Sequence, residues 1–162
     1  MKRLLTVLAV LLLAARPAPS PTPVSPLAHH GFVTPRAVAE RAIAFRPFVP
    51  AARPIDVALE PPFHGDQISA NEGIAYAYRH AARTWVLSEW PIGRGSIDAF
   101  PPLAENDARC GTLHAAGGTT RPRGVVWKTP RGLVMSLLPD GSAERRVLVA
   151  EWRRLARLGA CG

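Results

Sequence analysis

Seventeen prolines are spread along the 162 residues, and they restrict every regular element to a short one. Proline lacks an amide hydrogen and disfavours helix in the residue before it, so regular structure survives only between prolines. Pro17, Pro19, Pro21, Pro23 and Pro26 nearly alternate. That spacing favours extended polyproline II chain, and residues 16–33 read as a linker. Farther along, Pro47, Pro61, Pro62, Pro91 and Pro139 each stop the segment before them. Residues 34–162 read as one domain built from the pieces left between.

Ahead of the linker, Lys2 and Arg3 precede an apolar run from Leu4 to Ala15 broken only by Thr6. A charged start and a short apolar stretch are the pattern of a secretory signal, so residues 1–15 read as a signal peptide. Twelve helical residues rise about 18 Å, short of the roughly 30 Å of a hydrocarbon core. The expectation is export to a periplasmic or extracellular location, with an uncleaved N-terminal anchor as the alternative.

Thr34 and Pro35 have the character of a helix cap and a first helical residue, and Val38, Ala42 and Phe45 follow at helical spacing. Ile55, Val57 and Leu59 alternate with Asp56, Ala58 and Glu60, which predicts a half-buried strand. Ile74, Tyr76 and Tyr78 share one face of a strand whose partner runs from Thr84 to Trp90, so 73–91 reads as a hairpin. Pro91 to Asp107 reads as a long loop and Arg109 to Ala115 as a strand. A second hairpin pairs Gly124 to Thr129 with Leu133 to Leu138 across Pro130-Arg131-Gly132. Ser142 then caps a helix to about Leu158, with Leu148, Trp152 and Leu155 on one face and Gly159 closing it. The expected class is α+β: a mostly antiparallel sheet of five or six strands, with an N-terminal and a C-terminal helix on one face.

Apolar residues make up 48% of the chain, enough to form a core, which excludes a wholly disordered protein. Two cysteines exclude a disulfide-dense miniprotein and a four-cysteine zinc module. In an oxidising compartment Cys110 and Cys161 are expected to pair. Closing a loop of about 50 residues stabilises by roughly 4 kcal/mol in the chain-entropy picture.

Recognisable catalytic patterns are absent. Gly93-Arg94-Gly95 has no phosphate-loop context, and no nucleophile elbow surrounds Ser88 or Ser96. His29-His30 stands without further ligands, and no metal-binding spacing involves His80 or His114, so neither metal nor cofactor is expected. An acid–base pair from His64, Asp66 and Glu89 would make a small secreted hydrolase, which is the alternative to a non-enzymatic protein. Tyr76, Tyr78, Trp85 and Trp90 are core residues or a platform for an apolar ligand or peptide strand. Arg146, Arg153 and Arg157 fall together on a second face of the last helix, a solvated ridge or a contact for an anionic surface. The formal charge is +8, and it falls by two without Lys2 and Arg3. Lys128 is then the only lysine left. No nucleic-acid motif accompanies this charge, so nucleic acid is not the expected partner.

The proline-marked entry Phe48-Val49-Pro50, the strand Ile74 to Tyr78 with its partner Trp85-Val86-Leu87, Val126-Trp127 before Leu133 to Leu137, and the final helix over Ser142 to Leu155 form an ordered set. Over residues 47–158 this order resembles a bacterial extracytoplasmic domain of unknown function, found in anti-sigma factors and sporulation-associated proteins. That domain is related to the lipoprotein-carrier and sigma-regulator sheet folds. The resemblance implies a sensing or binding module and carries over no catalytic residue. The leading expectation is therefore an exported, non-enzymatic cell-envelope domain whose partner is a protein, a peptide or an apolar ligand. A basic protein binding anionic envelope surfaces is the third reading.

Overall fold

A computed structural model describes residues 24–51, 53–60, 73–92 and 97–162. The leader-like segment 1–15, the first part of the linker, and the loop carrying His64 and Asp66 lie outside the described residues. The described chain forms one antiparallel sheet of eight strands. These are β1 (Phe32–Val33), β2 (Asp56–Glu60), β3 (Gly73–His80), β4 (Arg83–Pro91), β5 (Pro102–Asp107), β6 (Gly111–Gly117), β7 (Pro122–Lys128) and β8 (Leu133–Pro139). Helices α1 (Arg36–Ala42) and α2 (Arg145–Arg157) complete it, with a 3-10 turn at Ile97–Ala99. The spatial order is β1-β2-β3-β4-β8-β7-β6-β5.

This corrects the expected α+β class of five or six strands: the molecule is mostly one eight-stranded sheet with a C-terminal helix. Two strands escape the sequence pattern. β1 lies inside the stretch read as linker, and its Phe32 and Val33 are both exposed. β5 lies inside the stretch read as a loop; it carries Glu105, Asn106 and Asp107, and only Leu103 is buried. Both are edge strands, held by backbone pairing to β2 and β6 rather than by an apolar face. The first helix is shorter than expected, because the chain turns extended at Ile43. Thr34 does not cap it; its amide donates to the Val57 carbonyl. Nor does Ser142 cap α2, where Glu144 holds the cap position.

Cross-strand pairs share a face, so the register assigns every side chain to one side of the sheet. Val57, Tyr76, Leu87, Leu137 and Val125 form one continuous row across five strands. Leu59, Ile74, Glu89, Met135 and Trp127 form the next. Leu148, Trp152 and Leu155 of α2 pack on the part of this face holding Tyr78, Leu87 and Trp127. Ala39 of α1 packs on the part holding Val57, Ile74 and Tyr76. The opposite face is covered as well. Leu27 is fully buried against Ala58, Ala75, Ala77 and Val86, and Ile97 covers Val126 and Val134. The folded part therefore begins before Thr34.

Gly159 ends α2 at φ 100°, a conformation that favours glycine. Its amide donates to Ala156 and that of Ala160 to Leu155, the two bonds of a Schellman ending. Cys110 and Cys161, 51 positions apart in sequence, form a disulfide with Cα atoms 5.0 Å apart. It ties the chain beyond α2 to the turn between β5 and β6, at the outer hairpin rather than the middle of the sheet. Among the described residues no helix is long and apolar enough to cross a membrane.

Candidate anion-binding site

Three of the four aromatic residues singled out as a ligand platform are core. Tyr76 and Tyr78 have no exposed surface and Trp85 retains 2%. They point from β3 and β4 beneath the helices. Each polar tip is used: Tyr76 donates to Glu40 (3.0 Å), Tyr78 to Glu151 (2.7 Å), and Trp85 to the His80 carbonyl (3.3 Å). Burial and the neighbouring carboxylates push both tyrosines well above the usual phenol range. Trp90 is half-buried and lies against Gly73, where any Cβ would collide with its indole.

Three acids are buried among the described residues, two on the sheet and one on α2. Glu89 occupies the apolar row beside Ile74 and Met135, and both of its oxygens accept from the Phe48 amide at 3.0 Å. Burial raises its carboxyl to about 8, opposed by the Phe48 hydrogen bond and the Arg131 charge. Glu60 lies on the opposite face, accepting from Ser88 (2.9 Å) with His30 at 3.2 Å. Burial raises it too, and its second oxygen has no hydrogen-bond partner among the described residues. In this cluster the Ser88 hydroxyl donates to the Glu60 carboxylate. Glu151 of α2 accepts from Tyr78 and from Arg154 (2.6 Å), and pairs with His80 (2.6 Å). Burial alone would raise it, but the Arg154 and Tyr78 hydrogen bonds outweigh that and hold it below its ordinary range. These links fasten α2 to the β3–β4 hairpin. No group of three metal-ligating side chains occurs among the described residues.

The charged surface has more to offer. Residues 146, 150, 153 and 157 recur at helical spacing, and Arg146, Ala150, Arg153 and Arg157 are all exposed on α2. Their side of the helix faces away from Leu148, Trp152 and Leu155, which are buried on the sheet. Arg146 is ion-paired with Glu144 at 2.6 Å, with 82% of its side chain exposed. A groove of about 560 Å³ runs alongside, lined by three arginines, Arg145, Arg146 and Arg153, and two acids, Glu105 and Glu144, with Val149 and Ala150.

Around the start of α2 the sheet adds arginines that helical periodicity does not reveal. Arg83 opens β4, and Arg121 and Arg123 flank Pro122 where β7 begins. Arg121 precedes β7 and Arg123 stands where its pairing with β6 shifts register, while alternation along β4 puts Arg83 on the side of Trp85. That is the face carrying α2. These residues, with Arg145, line a cleft of about 890 Å³. Only the tertiary pairing of β4, β8 and β7 brings them together, because they lie far apart in the chain. Comparison with known proteins finds no family model, no curated protein and no solved structure that matches this chain.

Proposed function

We propose that this is an exported, non-catalytic binding domain of the cell envelope that attaches to anionic surfaces through the exposed face of α2. The observation that carries this reading is the arginine stripe Arg146, Arg153 and Arg157, interrupted only by Ala150 and backed by a fully packed apolar face. Such a face attracts anionic headgroups or polymer, at about 1 kcal/mol per arginine close to the surface, roughly fivefold in affinity each. Support for export comes from the Lys2-Arg3 start with its apolar run and from the disulfide, which persists in oxidising compartments. The resemblance to extracytoplasmic anti-sigma domains fits the same setting. The hydrolase reading receives less support: Glu89 is fully buried with both oxygens on the Phe48 amide, while His64 and Asp66 lie outside the described residues.

Sedimentation with anionic and neutral vesicles over a salt series tests the proposal. Binding to anionic vesicles alone, weakening as salt rises and dropping in an Arg153→Ala/Arg157→Ala variant, is the expected result. Binding that is indifferent to salt, or unchanged in that variant, refutes it.

A further inference from the structure

We propose that the cleft at the start of α2 is a discrete receptor for one phosphate-ester group, separate from the exposed stripe. Its walls come from four places: Arg83 on β4, Thr120 to Arg123 leading into β7, Leu138 and Pro139 at the end of β8 with Gly141 to Ala143 after it, and Glu144, Arg145 and Val147 at the helix start. Its volume of about 890 Å³ lies in the range of small-ligand sites.

Four arginines line it against a single acid, Glu144, which is already paired with Arg146. Two of the four are committed: Arg83 donates to the Ser142 carbonyl (2.7 Å) and Arg145 to Glu105 (2.7 Å). Arg121 and Arg123 are exposed, and no acidic partner meets either among the described residues. Pro122 between them is buried in the sheet, and the arginines on either side of it both line the cleft. A pair of planar forks aimed at one space matches the several oxygens of a phosphoryl group better than a single carboxylate. Ser142 and Thr120 add hydroxyl donors to the wall. The helix supports the same preference for an anion. Its first turn contains no acidic residue, and the Glu144 side chain makes no cap hydrogen bond. The cleft excludes Arg153 and Arg157, so the two sites can be disabled separately.

Titration calorimetry of the full chain with glycerol phosphate at low salt tests the assignment. Saturable one-to-one binding is expected. It should weaken roughly tenfold or more in Arg121→Ala/Arg123→Ala, as loss of charged hydrogen bonds predicts, and stay unchanged in Arg153→Ala/Arg157→Ala. Arg123→Lys, which keeps the charge but loses the fork, should fall between. Phosphatidylglycerol vesicles then distinguish the sources of the group. A matching loss of vesicle binding in the cleft variant assigns it to a lipid headgroup, and retention assigns it to a soluble ester. Absence of saturable binding, or equal loss in the two double variants, overturns the cleft proposal. Stripe-dependent vesicle binding would stand regardless.

Discussion

Glu89 shows how much one residue depends on what folds over it. An acid among Leu87, Trp90 and other large side chains reads from the sequence as either a polar edge or a buried carboxyl paired with arginine. The structure buries it completely and supplies a backbone amide from Phe48, 41 positions earlier, with Arg131 contributing charge. Its pKa is raised from 4.5 to about 8, so between those values the folded protein holds a proton that the unfolded chain releases. The stability contributed by this proton is complete below the ordinary carboxylate range and is lost as pH rises towards 8. The slope is about 1.4 kcal/mol per pH unit. Glu89→Gln keeps an acceptor for the Phe48 amide and removes the slope. Urea denaturation of both proteins from pH 5 to pH 9 should show the variant gaining relative stability as pH rises. Parallel curves would count against this assignment. The four aromatic candidates carry the opposite lesson: composition announces their bulk, while only the register states that Tyr76, Tyr78 and Trp85 face the helices.

Among the elements, the β3–β4 hairpin was the most legible. Its alternating aromatics and β-branched residues fix the pairing of Ile74, Tyr76 and Tyr78 with Glu89, Leu87 and Trp85. The turn is less expected. Ala81 and Ala82 both adopt positive φ, 49° and 58°, where alanine is strained and glycine is not. Ala82→Gly should therefore stabilise the protein by about 1 kcal/mol, read as a rise in the denaturation midpoint at constant slope. An unchanged or lowered midpoint would remove strain in this turn as an explanation. β1 and β5 were illegible for the converse reason. Edge strands need only a neighbour's backbone, so Phe32–Val33 and Pro102–Asp107 carry little pattern of their own.

At the scale of the whole molecule, the disulfide joins the outer β5–β6 hairpin to the segment after α2, and both cysteines are buried in the core beneath that helix. Replacing Cys110 and Cys161 together by serine should cost roughly 4 kcal/mol in unfolding free energy. Intact mass before and after reduction, followed by denaturation of the double variant, checks both the bond and its contribution; two free thiols in the oxidised protein would contradict it. The cysteine pairing was readable because a chain with two cysteines leaves one internal choice. The stripe on α2 was readable because helical periodicity is local, whereas the cleft of Arg83, Arg121, Arg123 and Arg145 exists only once β4, β8 and β7 are aligned. By itself the amino-acid sequence determined what depends on near neighbours: the prolines that close β4 and β8, alternation within a strand, the apolar face of α2, and glycine at its end. Tertiary structure alone decided the strand count, the burial of the aromatics and the gathering of distant arginines at one end of the sheet. Those depend on backbone hydrogen bonds between remote segments, which any side chain short of proline permits and none announces.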